Sequence, residues 1–137
     1  MDINYFILSI TLTVFVFIYE LLIHGMLLSK LYNKTPNIWR TKKEICKLSP
    51  IMITVQTASA FMITLLFFYS HANNGIYESL NFGIIIGLLF GSMSLGFYTI
   101  LPVSSKLAIC WFIFGFIEGL LASLLLAIIN QCLHVHI

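Results

Sequence analysis

Charge is what this sequence lacks most. Asp, Glu, Lys and Arg supply 9% of its 137 residues, where a soluble domain carries roughly 25%. So little charge cannot coat a water-soluble globule, and the mean hydropathy of +1.01 leads to the same exclusion. Aspartate is nearly missing as well. Asp2 is the only one, so no Ser/His/Asp triad can be assembled, and neither GxSxG nor HExxH occurs. The three cysteines, Cys46, Cys110 and Cys132, are scattered and form no CxxC pair. The odd count and scatter argue against a disulfide framework, the spacing is not that of a metal site, and Cys110, inside an apolar run, reads as a small core residue. A net charge of +2 is no argument for nucleic acid, because the cations follow membrane topology.

What is present in abundance is long apolar sequence. A helix needs roughly 20 apolar residues to cross the hydrocarbon core, and four stretches qualify: about 5–29, 50–70, 80–101 and 108–131. The runs are continuous and do not alternate, which argues against a β-barrel. The expected fold is all-α, a single transmembrane domain over residues 1–137 built as a four-helix bundle. The first run opens with Asp2 rather than a cation and exceeds the roughly 7–15 apolar residues of a signal peptide. No small-x-small cleavage site follows it, so it is expected to be a retained span.

The connections are uneven. Residues 30–49 form a long polar loop, "SHANNGIYES" a short turn with Asn74-Gly75 as its turn pair, and "PVSSK" a tight one. All seven cations lie in the first and third connections: Lys30, Lys34, Arg40, Lys42, Lys43 and Lys47, then Lys106. Those two connections share one face of a four-span chain. The positive-inside rule makes that face cytoplasmic and sends both termini outward. The same basic loop could hold anionic lipid or serve as a topology determinant alone. Tyr32, Trp39 and Trp111 suit an interfacial aromatic belt, and "TPNIWRTKKE" could form a short interfacial helix or cap after Pro36.

Small residues recur at helical spacing. Gly83, Gly87 and Gly91 share a face of the third span, and Gly115, Gly119 and Ser123 share a face of the fourth. Such faces let backbones approach closely, and in lipid dispersion then drives association. They either join the two spans within one chain, or join copies of the chain, or dock it on a larger membrane complex.

The spans also carry groups that oil does not favour. Glu20 lies about 14 Å and Glu118 about 15 Å from the basic end, at ~1.5 Å per residue. They are the only carboxylates within the spans. His24 follows Glu20 by four residues, on the same face, and Gln56 falls near its level. Ser92, Ser94 and Tyr98 occupy the same half of span three. A charge near the bilayer centre costs ~2.5–3.5 kcal/mol on insertion scales, so such residues face the bundle interior or a wet cavity. The expectation is a polar intramembrane pocket for a small ligand, ion or lipid, with Glu20 and Glu118 exchanging protons for a cationic substrate in a carrier. The competing readings are an interhelical polar clamp, a structural accessory subunit and a membrane-embedded enzyme of lipid or thiol substrates. No cofactor is expected. Glu20, His24 and Glu118 are ligand types that zinc or iron accepts, although their spacing matches no metal motif. His134 and His136 could bind adventitious metal.

Four spans with a membrane-buried Glu20 in the first and a small-residue ridge in the fourth resemble the small multidrug efflux proteins in architecture. That resemblance implies a proton-coupled carrier of cations, and the longer basic loop here departs from it. The four-span layout with both ends outward also looks like the membrane-associated eicosanoid and glutathione enzymes. Where those carry an arginine-rich pattern, this chain has "WRTKKEICKLSP" with Arg40 alone.

Overall fold

The computed structural model describes residues 3–135. It is 89% helical, and no strand occurs among the described residues. Four helices are long and apolar enough to cross a membrane. Helix α1 (Ile3–Leu22) runs on through a π-turn over Ile23–Leu27 and a short helix α2 (Ser29–Tyr32); α3 (Lys42–Tyr69), α4 (Ile76–Gly96) and α5 (Ser105–Val135) complete the set. The chain is therefore an all-α assembly of four membrane-length helices, as the hydropathy runs require. Its exterior suits hydrocarbon: Ile18, Leu21, Ile51, Val55, Ile85 and Met93 are among many large apolar side chains left uncovered.

The helix that carries the second span starts earlier than its apolar run. Thr41 caps α3, its hydroxyl accepting from the Glu44 amide at 3.3 Å while the Glu44 carboxylate accepts from the Thr41 amide at 2.8 Å. This reciprocal capping box satisfies two otherwise orphaned donors. The helix thus begins at Lys42 rather than Pro50, and Lys42, Lys43 and Lys47 ride on its first turns instead of in a loop. Pro50 sits inside α3. It has no N–H for the Cys46 carbonyl, and the Ser49 hydroxyl donates to that carbonyl instead, at 2.8 Å. The basic connection shrinks accordingly, with a 3₁₀ turn over Pro36–Ile38 where an interfacial helix was possible. In the opposite turn, His71 takes the left-handed backbone position (φ 57°), while Gly75 is extended.

Helices α4 and α5 pack most closely, and α1 packs on both α3 and α5. Helices α3 and α4 meet edge-to-face through Phe67 and Phe82, ring centroids 5.8 Å apart, near the turn that joins them. Toward the loop end they make little direct contact. Two apolar clusters result. One, around Leu8, Leu12, Phe67, Ile86 and Leu126, fills the half of the bundle near the 70–75 turn. The other, around Ile23, Leu28, Val103, Leu107 and Trp111, closes the loop end. Glu20 on α1 and Glu118 on α5 fall between the residues of these two clusters, at the level where α3 and α4 have parted.

Candidate functional site

The gap between the clusters is a cavity of about 300 Å³. Glu20 and Glu118 line it together with Gln56, Ser94, Phe90 and Phe97, so every spanning helix contributes. Glu118 is 7% exposed, while the Glu20 side chain keeps 34% exposure. The Gln56 Oε1 atom is buried and receives no hydrogen bond from the protein. Such an acceptor takes an N–H or O–H donor. The wall is otherwise apolar and aromatic, with Val16, Ile63 and Met93 completing it.

His24 continues the polar chain toward the loop. Its Nε2 lies 3.2 Å from Glu20 Oε2, across one helical turn. Helix α1 then widens, the Leu28 amide donating to the Ile23 carbonyl at 2.9 Å across the π-turn. A π-turn holds one more residue per turn and so shifts which face the following side chains occupy. On the far side of it, the Tyr32 hydroxyl hydrogen-bonds His24 Nδ1. The same hydroxyl oxygen accepts from Trp111 Nε1 at 2.7 Å.

Donor chemistry orients this chain. An indole N–H can only donate, so the Tyr32 oxygen accepts from Trp111, and the Tyr32 proton goes to His24 Nδ1 in the tautomer that leaves this nitrogen bare. Burial pushes the Tyr32 hydroxyl up to about 12, against the opposing effect of the Trp111 hydrogen bond, which keeps that proton in place at neutral pH. With Nδ1 accepting, a neutral imidazole carries its hydrogen on Nε2, where it donates to Glu20. The order is Trp111, Tyr32, His24, Glu20, leading from the loop to the cavity.

Further spaces follow the chain. One of about 370 Å³ is lined by Glu20, His24, Tyr32, Trp39, Ser94 and Trp111, and it shares Glu20, Ser94 and Phe97 with the central cavity. Another of about 560 Å³ opens at the loop surface and shares His24, Tyr32 and Trp39 with the second. The shared residues set the three spaces in succession along the Trp111–Tyr32–His24–Glu20 chain.

Ser92 and Tyr98 line none of these three spaces. Both are exposed, and the Ser92 hydroxyl is spent on the Leu89 carbonyl at 3.0 Å. On α4 and the 3₁₀ turn over Phe97–Thr99 that continues it, the cavity face is Phe90, Met93, Ser94 and Phe97, the i, i+3, i+4, i+7 stripe. Residues 92 and 98 share its depth but not its direction. The residues missed from sequence are Tyr32, Trp39 and Trp111. By type they suit an interfacial belt, yet they meet one another edge to face at the loop end, with Tyr32–Trp39 ring centroids 4.9 Å apart and Trp39–Trp111 6.2 Å apart. An indole and a phenol in otherwise apolar surroundings need hydrogen-bond partners, and His24 is the polar group within reach along the chain.

The small-residue ridges face each other within the chain. A Cβ added at Gly87 would sit 2.5 Å from the Phe116 carbonyl oxygen, and one at Gly91 2.8 Å from that of Phe112. One at Gly83 would sit 3.0 Å from Ser123 Cβ, and one at Gly115 3.2 Å from the Gly91 amide nitrogen. The Ser123 hydroxyl donates to the Ser79 carbonyl across the same contact. Lys30, Lys34, Arg40, Lys42, Lys43 and Lys47 are all exposed, at the end of the bundle where Lys106 opens α5. Among the described residues no three His, Cys, Asp or Glu side chains converge as a metal set, so Glu20, His24 and Glu118 are not gathered as ligands. His136 and the His134 side chain lie outside what is described. No known protein family, curated protein or solved structure matches the chain.

Proposed function

We propose that this chain is a small multi-pass protein of the cell membrane, with its basic end in the cytoplasm, and that its central cavity carries a small organic cation in exchange for protons at Glu20 and Glu118. The observation behind this reading is the pair of carboxyl groups in one cavity with otherwise apolar and aromatic walls. Two carboxylates in a low-dielectric space repel, and either a proton or a bound cation relieves the repulsion. Each therefore displaces the other, which is the elementary step of coupled carriage. Phe90 and Phe97 offer ring faces to a lipophilic cation, and Gln56 Oε1 offers an acceptor to a donor on it. The cytoplasmic placement of the basic end rests on the positive-inside rule.

The test uses the purified chain in detergent with tetraphenylphosphonium as the probe cation. Its binding should strengthen as pH rises and should release protons into a weakly buffered solution. Glu118→Gln should weaken it tenfold or more, since a buried carboxylate–cation contact is lost. Binding that ignores both pH and Glu118→Gln would remove the carrier reading. The accessory-subunit reading draws little support, because the ridges meant to dock a partner already bury one another.

A further inference from the structure

The space at the loop surface has a chemistry unlike that of the central cavity. Its polar wall consists of Lys42, Asn33, Ser29, His24 and Tyr32, and its apolar wall is formed by Trp39, Pro36, Ile45 and the bare backbone of Gly25. Most of its polar groups are already committed. His24 and Tyr32 bond each other, Ser29 donates to the Met26 carbonyl at 2.7 Å, and Trp39 donates to the Thr35 hydroxyl at 3.3 Å. The Glu44 carboxylate, the nearest acid in sequence to Lys42, is held by the Thr41 amide and hydroxyl, both at 2.8 Å. The Lys42 ammonium and the Asn33 amide remain as donors, flanked in sequence by Lys34, Arg40 and Lys43. The helix end itself is closed by the capping box, so the cavity's offer to an anion is these side chains and not the α3 amides.

Both helices beside this space carry exposed apolar side chains. Leu21, one turn before Gly25, is exposed on α1. On α3, which runs antiparallel and packs against α1, Ile45, Leu48 and Met52 are exposed at i, i+3 and i+7. A site with a cationic head at the interface, an indole beside it and an apolar seam below has the amphiphilic order of a phospholipid.

We propose that the loop-end cavity binds the phosphate headgroup of an anionic phospholipid, with Lys42 and Asn33 on the phosphate and one acyl chain along the α1–α3 seam. The site stands apart from the central cavity and does not depend on cation carriage, so either can fail without the other. It goes beyond general attraction of basic residues to acidic membranes, because one lysine is singled out. Lys42 lines the cavity and Lys47 does not, although both carry the same charge a few residues apart on the same helix.

The experiment is native mass spectrometry of the full chain in neutral detergent, titrated with phosphatidylglycerol or phosphatidylcholine. Phosphatidylglycerol should bind saturably as one molecule per chain and at least tenfold more tightly than phosphatidylcholine. Lys42→Gln should weaken it roughly tenfold, and Lys47→Gln less than twofold. Gly25→Leu should block it by filling the cavity. At that position a Cβ meets only Leu21 Cδ1, at 3.5 Å, so the unfolding midpoint should stay near wild type. Equal losses for Lys42→Gln and Lys47→Gln would mean attraction by charge alone and would overturn the proposal. Displacement of the lipid by millimolar inorganic phosphate would overturn it too, in favour of a soluble phosphorylated anion. Equal binding of the two lipids would rule out recognition of the anionic head.

Discussion

Gly119→Ala is expected to cost about 3 kcal/mol of stability, the upper end of what overpacking a tight contact costs. The added Cβ would lie 2.3 Å from the Gly87 amide nitrogen, 2.4 Å from Gly87 Cα and 2.9 Å from the Ile86 carbonyl carbon. All three atoms are backbone, and no side chain can swing aside to admit the methyl. Relief requires α4 and α5 to move apart by about an ångström, which forfeits dispersion along their whole shared face. In lipid that loss is not returned by a hydrophobic term, since hydrocarbon solvates an apolar helix as well as another helix does. Gly87→Ala should behave similarly, with its Cβ 2.5 Å from the Phe116 carbonyl oxygen. Gly115→Ala should be milder, because its nearest neighbour lies at 3.2 Å. Gly96→Ala supplies the control: nothing lies within 4 Å of the added Cβ, so the change should stay within about 0.5 kcal/mol, as surface substitutions do. Reversible unfolding in mixed micelles, read by far-ultraviolet circular dichroism, orders the four variants. A Gly119→Ala curve that overlays Gly96→Ala would mean the α4–α5 contact is not built on these glycines.

The number of helices, and the meeting of Glu20 and Glu118 in one space, were legible in the sequence because both depend on distance along a helix. At ~1.5 Å per residue, counting from a charged end gives a depth. Depth says nothing of direction, which is why Ser92 and Tyr98 share the half of the helix that holds the polar layer and yet face away from the cavity. The α4 face is readable only once it is known that Gly83, Gly87 and Gly91 meet α5, since that contact sets the rotation of the helix. The start of α3 was available in "TKKE", a capping-box signature, but a hydropathy window discounts polar residues and so begins the span at Pro50. The link from Trp111 to Tyr32 joins residues 79 positions apart. Tyr32 follows the π-turn at Ile23–Leu27, for which no composition or period offers a signal.

That link is the second place where a single substitution should act strongly. Trp111 is 8% exposed; it donates to Tyr32 and stands against Trp39 and Tyr32, over Val103 and Leu107. Trp111→Ala is expected to cost about 3–5 kcal/mol, the usual range for truncating a buried aromatic. It should also release the loop, because Tyr32 and Trp39 lose the surface they rest on. Trypsin should then cut after Lys34 or Arg40 in proteoliposomes with the basic end outward, while the wild-type loop resists. Trp111→Phe separates packing from hydrogen bonding: most of the ring contact survives and the indole N–H does not, for a cost of about 1–2 kcal/mol. Tyr32→Phe removes the other partner of the same bond and, in addition, the donor that fixes His24 Nδ1. If the orientation from Trp111 through Tyr32 to His24 is right, the two Phe variants should not be additive. The double variant should be about 1 kcal/mol better than the sum of the singles, since the bond is lost only once. The imidazole then gives the directional readout. In Tyr32→Phe, His24 is no longer held as an Nδ1 acceptor, and nitrogen NMR should find both neutral tautomers where wild type shows the Nε2–H form alone. A Tyr32→Phe spectrum identical to wild type would mean that Glu20 by itself orients His24, and that the loop closes the cavity through stacking without reaching its polar chain.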